Sequence, residues 1–182
     1  MNRNYFKISL FALLAGIFVR CGGNDLNKIT FLATTQASFT LEATEEVPVE
    51  GGNFVWLDNI EVADNTDSLL VDFNLDGGDI NTIVPETVDL TMIDEGNNWR
   101  LIRTVRLYIY NAEETDSLLM ARLDTISTTV NEVITLNANN ESLRPYLFSN
   151  EFKFKTLLET RAPITTNYNF ILTAISRVDG EI

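Results

Sequence analysis

The chain has 182 residues, of which 45% are hydrophobic, and this composition excludes an intrinsically disordered protein. Its 13 basic and 26 acidic residues give a formal net charge of −13, which disfavours binding to nucleic acid or to anionic lipid surfaces. The absence of histidine and the single cysteine exclude Ser-His-Asp and Cys-His catalytic sites, most zinc sites and an intramolecular disulfide. We therefore expect no nucleic-acid partner and no cofactor.

Residues 1–20 have the pattern of a signal peptide. Arg3 and Lys7 form a basic start, and a mainly apolar run of twelve residues follows from Ile8 to Val19. A helix of that length extends about 18 Å, which is too short for a bilayer core of about 30 Å. A signal peptide is therefore favoured over a transmembrane anchor.

The residues that end this run resemble a bacterial lipoprotein signal, in which a cysteine becomes the lipidated first residue. The resemblance implies lipidation of Cys21, a tether over residues 21–28 and attachment to the outer membrane through the lipid anchor, on either side of that membrane. Arg20 departs from the motif, which has a small residue before the cysteine. Cleavage by the general signal peptidase, or no cleavage at all, are the alternatives.

The remainder of the chain, residues 29–182, is predicted to be one all-β domain. Segments with a period of two residues alternate with turn sequences, and no long segment has a helical period. Pro85 predicts a short edge strand that ends at Ile93, because proline interrupts the ladder of an interior strand. The other strands predicted outside the central hairpin cover residues 29–44, 54–62, 68–75, 128–136, 152–158 and 167–178, and residues 146–148 are expected to add a helical turn or a short strand.

The best-defined element is a β-hairpin within residues 99–124, closed by a polar loop of about five residues. Alternation of apolar and polar residues defines the two faces of its first strand. The inner face is predicted to bury three residues of each strand, namely Val105, Leu107 and Ile109 paired with Leu123, Ala121 and Leu119. Together with the other strands, this hairpin predicts a single antiparallel β-sandwich of about eight strands, of the jelly-roll or immunoglobulin-like type.

The opposite face of the hairpin is the candidate contact surface. The same register places Tyr108 beside Met120 and Arg106 beside Arg122, with Tyr110 near the turn. Such a face is too apolar for simple contact with solvent, yet its arginines argue against a deep core. Either another segment covers it, or it is an aromatic contact surface for a partner.

Four segments carry a resemblance to small secreted or lipid-anchored β-sandwich proteins of Bacteroidetes. They are V-R-L-Y-I-Y at residues 105–110, E-S-L-R-P-Y-L at 141–147, E-F-K-F-K-T at 151–156 and N-F-I-L-T-A-I at 169–175. The resemblance implies the fold and a location in the cell envelope. It implies no activity.

One segment matches the first half of an EF-hand calcium loop. Asp72, Asn74 and Asp76 are followed by a glycine, but the twelfth position is Ile83 where a bidentate glutamate is needed. The same residues fit the polar face of a strand before a Gly-Gly turn. We therefore predict no tight metal site, with Asp76 and Asp79 as the weak candidates for a looser one.

Three Asp-(Ser/Thr)-apolar sequences follow the pattern of O-glycosylation acceptors in exported Bacteroidetes proteins. The candidate acceptors are Ser68, Ser117 and Thr125. Chance supplies roughly one such match at this composition. The alternative is that all three are ordinary turn ends, where Asp and Ser bond to the local backbone.

These observations support a first hypothesis, a non-enzymatic binding or accessory lipoprotein that presents its β-sandwich to a glycan or protein partner. The second hypothesis is a carboxylate-dependent, glycosidase-like hydrolase of the envelope, which requires two acids close together in a concave pocket. A purely structural envelope protein is the third. The enzyme and the binder differ in whether a structure contains such a carboxylate pair or an exposed aromatic face.

The lipid anchor is tested by fractionation of the native protein. We predict that the protein sediments with membranes and that Cys21→Ala releases it, because the thioether-linked lipid is then absent. Arg20→Gly should speed processing, since it restores a small residue before the cysteine. Intact mass spectrometry that finds an unacylated mature N-terminus elsewhere in the chain would contradict the prediction.

Overall fold

The structure, a computed structural model, describes residues 28–43, 53–61, 77–93, 99–129, 132–148 and 152–181. Short 3₁₀ turns at Gly77–Asp79 and Trp99–Leu101 precede two of the strands, and one helical turn, α1, spans Arg144–Leu147. The eight strands are β1 (Lys28–Leu41), β2 (Asn53–Glu61), β3 (Ile80–Met92), β4 (Ile102–Asn111), β5 (Ser117–Leu123), β6 (Val133–Ala138), β7 (Phe152–Thr160) and β8 (Tyr168–Glu181).

The strands form one curled antiparallel sheet in the order β1-β8-β3-β6-β5-β4-β7-β2. Its two halves, β1-β8-β3-β6 and β5-β4-β7-β2, are joined by only two residue pairs between β5 and β6, Ala121 with Ala138 and Arg122 with Asn137. Successive strands cross repeatedly between the halves, and this winding is the strand order of a jelly roll. The predicted all-β antiparallel fold with about eight strands is confirmed.

The interior of the sheet contains one large hydrophobic cluster to which both halves contribute, and a smaller cluster of buried residues from β1, β3 and β8 lies beside it. Phe170 of β8 stacks on Phe39 of β1 with ring centroids 5.1 Å apart, and it lies at the same distance from Trp99. From the other half, Leu107 of β4 and Phe154 of β7 are almost fully buried in the same cluster. Each such side chain contributes about 1.5–3 kcal/mol by its burial, so this cluster fixes how the two halves face each other.

The prediction of a short edge strand before Ile93 is wrong. β3 is a strand of 13 residues that pairs with β8 on one side and with β6 on the other. The register against β8 shifts between Pro85 and Thr87, which marks a bulge at the proline. Pro85 itself pairs with Ser176 of β8, and β6 pairs with β3 only from Val88 to Thr91. The proline therefore lies where β3 has a ladder on one side only, and a residue without an N–H is tolerated there.

The predicted register of the central hairpin holds for half of its length. Arg106 pairs with Arg122 and Leu107 with Ala121, as expected, but a bulge then shifts the register so that Tyr108 pairs with Leu119. Met120 is the extra residue, and it is only 1% exposed. Its assignment to the outer contact face is therefore wrong, because the bulge turns Met120 towards the core together with Ala121.

Several predictions fall outside the described residues. They concern the signal peptide, Cys21, the strand over 68–75, Ser68 and Asp76. The helical turn expected at residues 146–148 is present as α1, although it begins two residues earlier. Within the described part of the chain, no helix is long and apolar enough to cross a membrane.

The two faces of the hairpin are distinguished by placing the same charge on each. Leu107 is fully buried, so Leu107→Asp should lower the free energy of unfolding by several kcal/mol, enough to abolish folded protein when the total is about 5–15 kcal/mol. Leu119 is half-buried and pairs with Tyr108 on the outer side, so Leu119→Asp should cost about 1 kcal/mol. Urea denaturation measures both. Equal destabilisation by the two variants would show that the outer side is also core.

Candidate binding surface

The side of β2-β7-β4-β5 that points away from the core is lined by aromatic and basic side chains. The pairings place Trp56 beside Leu157, which in turn lies beside Arg106. Further along β4, Tyr108 pairs with Leu119 of β5 and with Lys155 of β7, and Tyr110 is the next residue on the same side. We call this surface the outer face; its members are Trp56, Arg106, Tyr108, Tyr110, Leu119, Arg122, Lys153, Lys155 and Leu157.

Three aromatic rings form a diagonal row across the outer face. The ring centroids of Trp56 and Tyr108 are 5.8 Å apart, and those of Tyr108 and Tyr110 are 6.3 Å apart. The ring planes are tilted by 44° and 54°, so the row is stepped rather than flat. Trp56 is 46% exposed and both tyrosines are half-buried, so the row is partly open to solvent. An open aromatic row of this kind is a candidate contact surface.

Two arginines stand next to each other on adjacent strands of this face. Arg106 lies directly opposite Arg122, an arrangement in which like charges repel. Arg122 has a long ion pair of 3.5 Å with Asp124, and the side chains of both residues are 56% exposed. Arg106 forms no ion pair with any residue that the structure describes. This part of the outer face therefore retains positive charge.

Two lysines of β7 share one carboxylate at the turn end of the face. Lys153 pairs with Tyr110 across the strands, and its ammonium lies 3.0 Å from Oε1 of Glu114. Lys155 contacts the other carboxylate oxygen of Glu114, and its ammonium lies 5.2 Å above the ring of Tyr110. The hydrogen bonds from Lys155 and then Lys153 lower the pKa of the Glu114 carboxyl below its ordinary value. The result is a carboxylate held between two ammonium groups beside an aromatic ring.

The loop that carries Glu114 is organised by Asn111. The Asn111 side-chain oxygen accepts hydrogen bonds from the backbone N–H groups of Thr115 and Asp116, at 2.9 and 3.1 Å. Its own carbonyl accepts the N–H of Glu114, which has a left-handed φ of 57°. A non-glycine residue in this region is uncommon, so local interactions must hold it there.

Tyr146 of α1 holds the same loop from the core side. Its hydroxyl donates a hydrogen bond of 3.1 Å to Oδ2 of Asp116. Burial raises the pKa of the Tyr146 hydroxyl, and the bond to Asp116 adds to this effect because it favours the protonated form. The loop thus has a fixed path, and Glu114 is aimed at the two lysines.

The far end of the outer face is fixed by Arg161, which follows β7. Its guanidinium donates hydrogen bonds to the backbone carbonyls of Arg100, Ile102 and Ile126, at 3.0, 2.5 and 2.5 Å. These carbonyls belong to the 3₁₀ turn before β4, to the first residue of β4 and to the segment after β5. One side chain therefore ties three strands of this half together by charge-assisted hydrogen bonds.

The glycosylation candidates that the structure describes are both at the surface. Ser117 begins β5, pairs with Tyr110 at the turn end of the outer face, and is exposed. Thr125 lies exposed in the segment after β5, and its hydroxyl donates to the carbonyl of Asp124 at 2.8 Å. Accessibility at both positions is compatible with modification, which remains a prediction.

Only one of the two candidate metal ligands is among the residues that the structure describes. Asp79 ends the first 3₁₀ turn, while Asp76 lies outside the described residues. Among the residues that the structure does describe, no three His, Cys, Asp or Glu side chains are grouped closely enough to hold a metal ion.

An open depression lies on the other half of the sheet, between β3, β6 and β8. It has a volume of about 470 Å³ and is lined by residues that include Pro85, Glu86, Asn137 and Arg177. Glu86 is the one carboxylate in this described lining, and it lies 3.4 Å from Nη1 of Arg177. The glycosidase-like hypothesis requires a second acid close to the first, and the lining of this depression contributes none.

The sequence predicted part of the outer face and missed the rest. Arg106, Tyr108 and Tyr110 lie where they were expected, whereas Trp56 and the two lysines come from strands whose pairing with β4 was not predicted. The alternation in E-F-K-F-K at residues 151–155 is the signal that could have found the lysines, since it places both on one side of a strand.

No protein-family model matches the chain, and no curated protein matches it. Among solved structures, it is similar to the acidic stable capsid of Helicobacter pylori bacteriophage KHP30, at 12% identity and a TM-score of 0.34, over 85% of this chain and 99% of that one. It is also similar to a chain of Cocksfoot mottle virus, at 8% identity and a TM-score of 0.33, over 100% of this chain and 97% of that one.

The two-lysine site predicts a pH-dependent contribution to stability. Because the pKa of Glu114 is lower in the folded protein, its contribution is present above the unfolded pKa, about 4.3, and is lost as the pH falls through the folded value. Glu114→Gln should therefore have a lower Tm than the unmodified protein at pH 7, and the difference should shrink as the pH is lowered below the unfolded pKa. Thermal unfolding followed by circular dichroism measures it. A difference that is unchanged in acid would mean that the carboxylate charge is irrelevant.

Proposed function

We propose that this chain is a non-enzymatic binding protein of the cell envelope, anchored through lipid on Cys21, and that its outer face contacts a glycan or protein partner. The observation that carries the proposal is the row of Trp56, Tyr108 and Tyr110, whose rings lie 5.8 and 6.3 Å apart on an open face. Contact surfaces concentrate their binding energy in aromatic and arginine side chains, and both occur here.

The rigidity of this surface supports a role in binding. β4, which carries both tyrosines, lies between β5 and β7 and rests on core residues that are fully buried. The aromatic side chains therefore need little ordering when a partner binds, which lowers the entropic cost of association. A pre-formed aromatic surface suits a protein that holds a partner without changing it chemically.

The proposed anchor is compatible with an accessible outer face. The tether that would follow Cys21 enters the domain at β1, which begins at Lys28 and belongs to the half of the sheet opposite the outer face. A protein attached to a membrane by that end keeps the β2-β7-β4-β5 half available. In this arrangement, the signal-like segment at residues 1–21 provides the anchor on one half of the sheet, and the exposed aromatic row provides the contact surface on the other.

Capture experiments with matched variants test this proposal. The full chain, kept in solution with a mild detergent, is immobilised and exposed to an envelope extract, and the retained glycan and protein are quantified. Trp56→Ala and Tyr108→Ser should lower retention at least about tenfold, because loss of an aromatic contact costs about 2 kcal/mol. Both variants should remain folded, since neither side chain is in the core cluster.

The control is Leu32→Ser on β1, which also replaces an exposed apolar side chain, 37% exposed, but on the other half of the sheet. It should retain the partner as the unmodified chain does. Equal retention by all three variants, or no retained partner for the unmodified chain, would overturn the assignment of the outer face.

A further inference from the structure

The distribution of charge on the outer face differs from that of the whole chain. The chain has a net charge of −13, yet the described part of this face carries the cations Arg106, Arg122, Lys153 and Lys155. Its described carboxylates are each held by a cation of the chain, Glu114 by the two lysines, Asp124 by Arg122 and Glu159 by Arg103. Two of the cations, Arg106 and Arg122, are directly opposite each other across adjacent strands. Like charges in that position repel each other; Asp124 lies 3.5 Å from Arg122, whereas no described residue forms an ion pair with Arg106, so Arg106 is left to attract an anionic partner.

The turn end of the face already contains a bound carboxylate from the chain itself. Glu114 lies between the ammonium groups of Lys153 and Lys155, and the ring of Tyr110 forms one wall of this site. The Glu114 side chain is 34% exposed and belongs to a surface loop, so it can be displaced without disturbing the core. A carboxylate of a ligand would find the same two donors.

From these observations we infer that the outer face binds an acidic polysaccharide, one whose sugar rings carry carboxylates. This inference rests on the proposed function and names its partner class. Sugar rings lie against the aromatic row of Trp56, Tyr108 and Tyr110, and the carboxylates meet the arginine pair and the two lysines. One carboxylate of the polysaccharide displaces Glu114, so the chain's own glutamate competes with the ligand.

Charge density favours this partner over nucleic acid. Double-stranded DNA carries one charge for about every 1.7 Å of its axis, so a chain with a net charge of −13 repels it more strongly than it repels a polymer of lower charge density. A polysaccharide with one carboxylate on each sugar has fewer charges per length and presents apolar ring faces between them. The outer face has the same alternation of charged and apolar groups, because its arginines and lysines are interspersed with aromatic rings.

The test uses two forms of one polymer, so that only the charge differs. The full chain in mild detergent is titrated with polygalacturonate and, separately, with the fully methyl-esterified polymer, and binding is measured by interferometry. The acidic form should bind at least about tenfold more tightly, and its affinity should fall when NaCl is raised from about 0.05 to about 0.5 M, since salt screens exposed charges. A single-stranded oligonucleotide is the third ligand.

Variants separate the two parts of the site. Arg106→Gln should weaken binding of polygalacturonate about tenfold or more, and Tyr108→Ser should do the same. Glu114→Gln should strengthen it about threefold, because the competing carboxylate is gone while the two lysines remain. Arg177→Gln removes an arginine, 45% exposed, from the other half of the sheet and is the matched control, with unchanged affinity expected.

Each outcome decides the inference. Selective binding of the acidic polymer with these variant effects supports it. Equal binding of both polymers overturns the acidic partner while the proposed glycan-binding function stands. Binding of the oligonucleotide alone, or of none of the three ligands, also overturns the inference, and the proposed function is then judged by the capture experiment with Trp56→Ala and Tyr108→Ser.

Discussion

Burial of one side of β4 is the constraint on which the rest of the structure depends. Val105, Leu107 and Ile109 are fully buried, so this strand can occupy only the registers that keep them inside. Alternation then forces Tyr108 and Tyr110 to the other side, where β7 and β5 supply their neighbours. The outer face is therefore a consequence of the core, because the strand that buries these three residues also presents two of the three aromatic rings.

Local pattern predicted the faces of β4 well because alternation is a property of the strand itself. It failed where a bulge interrupts the alternation, as at Met120, because the bulge depends on how β5 fits between β4 and β6. Pro85 misled because β3 has a free side only near the proline, whereas β6 pairs with the strand from Val88 to Thr91. The pairing of β1 with β8 joins residues near opposite ends of the described chain, and no local signal specifies it.

The candidate site was predictable only in the part that one hairpin supplies. Trp56 reaches Tyr108 because β2 and β4 lie on either side of β7, an order that follows from the whole sheet. Glu114 reaches Lys153 and Lys155 because Asn111 organises the loop and sets its direction. The net charge of −13 could not predict the lysine pair, because a sum over the whole chain does not show where the cations lie.

Tryptophan fluorescence measures the central claim most directly, because the chain has two tryptophans in opposite environments. Trp99 is fully buried and Trp56 is 46% exposed on the outer face, so acrylamide quenching of the intact chain, compared with Trp56→Phe, isolates the signal of Trp56. The account predicts strong quenching of Trp56 in the free protein and protection of Trp56 when polygalacturonate is added. Quenching of Trp56 that is unchanged at a saturating concentration of the bound polymer would contradict it.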